Sequence, residues 1–145
     1  MKKKDILRID SFISTARLNT FDRDTRLALC VNHLRLFRVV QGFNEEVEEL
    51  KNSLTKGNED EVTRLMKYRI EKNEEAIKSE CQKALELEAT LNRCVDDILE
   101  EDVEVDLRKV DIDRFLEGCI SGDIPLTPKD LEVFSEMFSE VEEKV

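Results

Sequence analysis

The chain has no tryptophan, one tyrosine (Tyr68), one histidine (His33), four glycines and two prolines in 145 residues. So few turn formers exclude an all-β domain, which spends Gly, Pro, Asn or Asp at every hairpin. A single Tyr without Trp leaves no platform on which unpaired bases stack. One imidazole removes multi-histidine metal sites, and His33 becomes the sole candidate for His-assisted nucleophilic catalysis. No Cys-x-x-Cys occurs. Cys30, Cys81, Cys94 and Cys119 are 51, 13 and 25 residues apart, whereas zinc sites bring their thiolates in close pairs. Phosphate-cradling glycine loops, Gly-x-Ser-x-Gly and His-Glu-x-x-His are also missing. The longest strongly apolar run, residues 27–40, is 14 positions long and holds two arginines, short of the ~20 needed to cross a bilayer. Met1-Lys2-Lys3-Lys4 runs straight into Asp5 and Arg8, so the apolar core of a signal peptide is not expected. These absences point to a non-enzymatic, non-membrane protein with no catalytic, metal-ligating or cofactor-binding residues, located in the cytoplasm.

What is present is charge and helical periodicity. Apolar residues make up 40% and charged residues 39%, apolar enough to fold and too charged to hide every helix face. Residues 1–43 carry nine Lys and Arg against four Asp, and the other 102 residues carry 14 bases against 30 acids, for a net −11. A basic strip on an acidic body means either that the two pack together in one fold or that each meets its own partner. An acidic whole makes direct nucleic-acid binding an unfavourable reading.

Ile6, Ile9, Phe12, Ile13 and Ala16 form a one-sided stripe, which predicts a helix within residues 1–18. Asp22 or Asp24 is placed to cap a long helix over 22–54. There Leu29, Leu36, Phe43 and Leu50 interleave with His33, Val40, Val47 and Leu54 in steps of four and three, the period of a coiled-coil seam. Leu27, Cys30, Val31, Leu34 and Phe37 add a second apolar face in the first half, so that half is expected to be buried on most sides. Asn32, Arg35 and Arg38 form the one polar stripe there. Gly57 suits a left-handed stop, and Asn58 with Glu61 has capping-box spacing. From 59 to 100 neither Pro nor Gly interrupts, which predicts one helix with Val62, Met66, Ile70, Ile77, Cys81, Ala84, Leu87, Leu91, Val95 and Ile98 on its seam. The short connection makes the two long helices an antiparallel hairpin. The cysteines at apolar positions read as reduced core residues, and His33 as a hydrogen-bonded structural histidine.

Residues 102–112 alternate with period two, Val103, Val105 and Leu107 on one face and Asp102, Glu104 and Asp106 on the other, an extended or β arm. With Leu107 at the sixth position and Asp113 at the twelfth, the arm lacks the glycine turn and bidentate Glu of a calcium loop, so its acids read as a solvated or partner-facing surface. Asp111 or Asp113 starts a short helix over 113–118, ended by Gly118. Thr127-Pro128 with Asp130 starts a last helix over 128–143, with Leu131, Phe134, Met137, Phe138 and Val141 on its apolar face.

This order of elements, with Val103-Glu104-Val105 and Leu126-Thr127-Pro128-Lys129-Asp130-Leu131 as its most specific parts, resembles a family of small acidic helical proteins encoded by tailed bacteriophages, over about residues 20–140. Where that group carries an aromatic early in its first long helix, this chain has Leu27-Ala28-Leu29. The resemblance implies phage or prophage origin and a non-enzymatic role, in the virion or in the bacterial cytoplasm, and brings no catalytic residue to carry over.

The expectation is an all-α single domain over 1–145 built on the hairpin, acting on protein partners and also on itself as a homo-oligomer. Phe43, Val47, Leu50 and Leu54 are the candidate seam for a partner. Arg35 and Arg38 are expected to meet carboxylates of the chain or of a partner, and Asp102, Glu104 and Asp106 complete the candidate partner-binding set. The role is a virion or assembly accessory or an inhibitor of a host protein. The alternative is an acidic nucleic-acid mimic or small-ligand sponge that counteracts host defence.

Overall fold

A computed structural model describes residues 1–139. Their regular elements are helices: α1 (Lys3–Thr15), α2 (Arg23–Thr55), α3 (Glu59–Glu71), α4 (Glu74–Glu80), α5 (Gln82–Leu99), α6 (Ile112–Ser121) and α7 (Pro128–Phe134), with 3-10 turns at Leu18–Thr20 and Ser135–Met137. The described chain is all-α, without a β-strand, and none of its helices is long and apolar enough to cross a membrane. The chain, read from sequence as one domain, groups into two compact units: Met1–Gln41 with Glu101–Val145, and Gly42–Glu100.

In the first unit the predicted stripe of α1 is buried at Ile6, Ile9, Phe12 and Ile13. It shares a core with Leu29 and Leu36 of α2, Phe115 and Cys119 of α6, Phe134 of α7 and Met137. Aromatic rings knit this core, Phe12 standing 4.7 Å from Phe134 and 5.6 Å from Phe115 in tilted pairs, an arrangement the ring quadrupoles favour. Gly118 does not end its helix, as expected from sequence. It lies inside α6, where a Cβ would overlap the Phe21 ring, and α6 runs on to Ser121. Asp111 caps α6 by accepting the Arg114 N–H at 3.1 Å.

The second apolar face of α2 is not buried. Leu27, Leu34 and Phe37 are 48%, 69% and 47% exposed, while Asn32, read as part of the polar stripe, is fully buried. Its amide explains why. Asn32 Nδ2 donates to the Arg108 carbonyl at 2.9 Å, and the Arg108 N–H donates to Asn32 Oδ1 at 2.7 Å, the two-way pairing that a neighbouring strand would otherwise supply. The arm is extended without being a strand, because bridges form only at its ends, Lys2 with Asp102 and Val110 with Phe138. The Lys3 N–H donates to the Glu101 carbonyl (3.0 Å), the Val103 N–H to that of Met1 (2.8 Å) and the Val110 N–H to that of Met137 (2.7 Å).

α7 carries the predicted cap: Thr127 and Asp130 accept each other's backbone N–H at 3.2 Å, with Pro128 in the first turn. The helix ends at Phe134 rather than continuing to 143. Phe138 turns extended to pair with Val110, and Val141 with the rest of the expected helix lies outside the described residues.

In the second unit the uninterrupted helix expected over 59–100 is three helices. Lys72 adopts the left-handed conformation (φ 58°), and the Asn73 side chain accepts the Ala76 N–H at 3.2 Å to cap α4. An Asn side chain offers the backbone this alternative to helical pairing. A second break falls at buried Cys81, with φ −118° and ψ 25°. Gly57 has the predicted positive φ, 86°. Asn58 makes no side-chain cap; instead the Glu59 carboxylate accepts the Gly57 N–H at 3.1 Å. The buried apolar cluster of this unit is Leu65, Cys81 and Ala84, with Val62, Tyr68, Ile77 and Leu85 partly buried against it.

Two predictions follow from the first unit. Asn32→Ala removes both bonds of a fully buried amide and leaves the part-buried N–H and carbonyl of Arg108 unpaired, so urea unfolding of this variant is expected to show a loss of about 1–3 kcal/mol. Arg8 donates to Asp130 at 2.6 and 3.0 Å, and that bond, with the Thr127 N–H, holds the Asp130 carboxyl below the usual carboxylate range. Such a group stabilises the fold above its unfolded pKa, about 3.9, and the contribution is lost as pH falls through the lower folded value. Asp130→Asn is therefore expected to lower the melting temperature at neutral pH and to narrow its difference from the parent below pH ~4.

Candidate functional site

The seam residues of the second unit sit on the last turns of α2, where Phe43, Val47, Leu50 and Leu54 are all half-buried. Leu54 lines a cavity of about 200 Å³ together with Leu65 and Met66 of α3 and Leu87 and Leu91 of α5. Ligand pockets run from roughly 300 to 1,000 Å³, so this space suits one or two aliphatic side chains rather than a cofactor. Among its lining, Arg69 grips the Glu88 carboxylate with both guanidinium nitrogens, one at 2.8 Å. That bond holds the Glu88 carboxyl below its ordinary range. Met66 and Ile70, expected on a buried seam, are 62% and 82% exposed, because the side of α3 that packs into the cluster is that of Val62, Leu65 and Tyr68.

In the first unit Asp102, Glu104 and Asp106 are exposed, whereas Leu107 and Val110 of the same arm are buried. Asp102 lies 4.0 Å from the N-terminal ammonium. Arg35 donates to the Asp106 carbonyl at 2.7 Å and stands 3.7 Å from its carboxylate. The expectation that Arg35 meets an acid within the chain holds. For Arg38 it fails: that residue is exposed and forms no ion pair among the described residues. Asn32 and Arg35 are the two α2 side chains bonded to the arm, and its backbone at Asp106 is as near as it comes to Arg38 in those bonds.

A second concavity in this unit lies between α1 and α2. It is an open cleft of about 410 Å³ lined by Ile13, Ser14, Leu18, Cys30, His33 and Leu34. His33 Nδ1 is 2.7 Å from Oδ1 of Asp10, which is 7% exposed. An acid on Nδ1 orients an imidazole as in a nucleophile–histidine–acid triad; His33 is hydrogen-bonded to Asp10, and no Ser or Cys hydrogen-bonds to it among the described residues. Cys30 is exposed and Cys94 half-exposed, against the expectation of core thiols, while Cys81 and Cys119 are buried. Burial pushes the Cys119 thiol up to about 11, which keeps it protonated and unreactive. No group of three or more His, Cys, Asp or Glu side chains among the described residues is arranged to hold a metal ion.

No family model matches the chain, and no curated protein or solved structure matches it.

The contrast between Arg35 and Arg38 is testable. Arg35→Ala is expected to cost about 0.5–1.5 kcal/mol through the lost bond to the Asp106 carbonyl, whereas Arg38→Ala leaves the denaturation midpoint unchanged. Equal losses from both variants would show that Arg38 has a structural partner after all.

Proposed function

We propose that the chain is a non-enzymatic protein-interaction module that also associates with itself through its second unit. The observation that carries this reading is the small core of Gly42–Glu100: four buried apolar residues, Leu65, Cys81, Ala84 and Ile98, beside a half-buried seam of Phe43, Val47, Leu50 and Leu54. Units below roughly 70–80 residues seldom gain enough from one apolar core, and a second copy laid on this seam would cover the aliphatic surface left open. The resemblance to small acidic proteins of tailed bacteriophages supplies the setting, a virion or assembly accessory or an inhibitor of a host protein in the infected cell.

The rival reading, imitation of a nucleic-acid backbone, needs a continuous row of unneutralised acids. In the arm that row is interrupted, since Glu101 pairs with Lys3 at 2.8 Å, Asp102 faces the N-terminal ammonium and Asp106 faces Arg35. Interaction through apolar seams is the better-supported function.

Sedimentation velocity tests it. The protein is expected to sediment as a dimer or larger species at ~10 μM, where a stable interface of ordinary affinity is populated, and Val47→Asp with Leu50→Asp is expected to yield monomers with helical content unchanged. A parent protein that is monomeric at that concentration defeats the self-association reading.

A further inference from the structure

We infer that the outer face of α2 in the first unit is a docking site for an acidic amphipathic helix of another protein. This surface uses other residues than the seam of the second unit and stands or falls separately from the self-association proposed above.

Leu27, Cys30, Leu34 and Phe37 follow one another by three, four and three residues, the a/d spacing at which a second helix seats its own apolar ridge. The stripe is on the side of α2 opposite the core contacts of Ala28, Leu29, Asn32 and Leu36, and all four of its residues are exposed. It is about 15 Å long at 1.5 Å per residue, nearly three turns. Beside it, the cleft that Cys30 and Leu34 share with Ile13 and Leu18 of the α1 side provides a concave seat.

Charge selects the occupant. Arg23 stands one turn before Leu27, Arg26 one turn before Cys30 and Arg38 one turn after Leu34, so arginines head the stripe and flank it on both sides. All three are exposed, and none forms an ion pair among the described residues. The neighbouring acids are engaged elsewhere. Asp22 and Asp24 face Arg114 at 3.3 and 3.4 Å, and the other arginine of this stretch, Arg35, is bonded to the arm. Guanidinium groups rimming an apolar line match carboxylates at the e and g positions of an incoming helix, and such complementarity governs partner choice. A second copy docked by the same stripe would bring two arginine rims together, which like-charge repulsion opposes. A bilayer is the poorer fit too: the apolar line is narrow and lacks Trp, and a flat surface does not fill the cleft that a helix ridge enters.

The test uses two synthetic peptides of about three heptads, both with Leu at a and d, one with Glu and the other with Lys at e and g, each labelled for fluorescence anisotropy. The Glu peptide is expected to bind at micromolar concentration, at least about tenfold tighter than the Lys peptide, and more weakly as salt rises. Bound peptide should slow maleimide alkylation of Cys30 without changing that of Cys94. Arg26→Glu with Arg38→Glu should reverse the preference between peptides, and Leu34→Asp, at an exposed position, should abolish binding while leaving the thermal melt intact. The inference is overturned if the two peptides bind alike, or if neither binds up to ~100 μM. Dissociation of the parent oligomer by Leu34→Asp alone would make the stripe a contact between copies and equally overturn it. So would flotation with phosphatidylserine vesicles that Leu34→Asp prevents, in the absence of peptide binding.

Discussion

The pairing of the Asn32 amide with both backbone groups of Arg108 is the contact on which the first unit depends. The extended segment after α5 crosses that unit without a neighbouring strand, and buried backbone groups left unpaired are costly. Each stretch of it therefore finds a different partner: the backbone of Met1 and Lys3 at one end, Asn32 in the middle, and Met137 and Ser139 at the other end. These contacts join the segment Met1–Gln41 to the segment that starts at Glu101, across a long excursion of chain. With the arm so held, Leu107 and Val110 enter the core beside Leu36, Phe115 and Met137.

The second unit rests on a different balance. Its helices are well formed locally, with acids in the first turns of α3 and α4 where the macrodipole favours them, and with the Arg69–Glu88 fork tying α3 to α5. Because both partners of that fork are partly exposed, it adds little stability by itself. Four buried apolar residues are a small return for ordering so many. That imbalance, rather than any single side chain, is the ground on which an external partner is proposed for the unit.

Local features of the fold were legible in the sequence where the physics is local. The stripe of α1, the Thr127–Asp130 capping box, the Asp111 cap, the left-handed Gly57 and the period-two arm all follow from neighbours a few residues apart. What could not be read is the choice between two apolar faces of one helix. Leu29 and Leu36 share a side of α2 with Asn32, and Leu27 and Leu34 share the other. The buried side is decided by a backbone 76 positions away that only an amide can satisfy. Hydrophobic periodicity sees Asn32 as a polar gap and assigns it to solvent. The break at Lys72 and Asn73 was equally hidden: neither Gly nor Pro marks it, and the sole signal is an Asn able to cap the next helix. The apolar spacing of Phe43, Val47, Leu50 and Leu54 was legible, and their half-burial was not, because burial depends on how much core the unit has to share.

The basic strip of the first 43 residues shows how a charge surplus divides between folding and recognition. Among the described residues, several of its cations are spent inside the first unit: the N-terminal ammonium and Lys3 on Asp102 and Glu101, Arg8 on Asp130, and Arg35 on Asp106. Each of these pins a distant segment, either the arm or the start of α7, to the α1–α2 pair. Arg23, Arg26 and Arg38 form no such pair among the described residues, although they belong to the same helix as Arg35 and differ from it in the face they occupy. Sequence composition cannot make that distinction, since all are arginines within one 16-residue stretch. The fold makes it: the side of α2 that meets the arm consumes its charge in stability, and the opposite side keeps both its apolar residues and its arginines exposed.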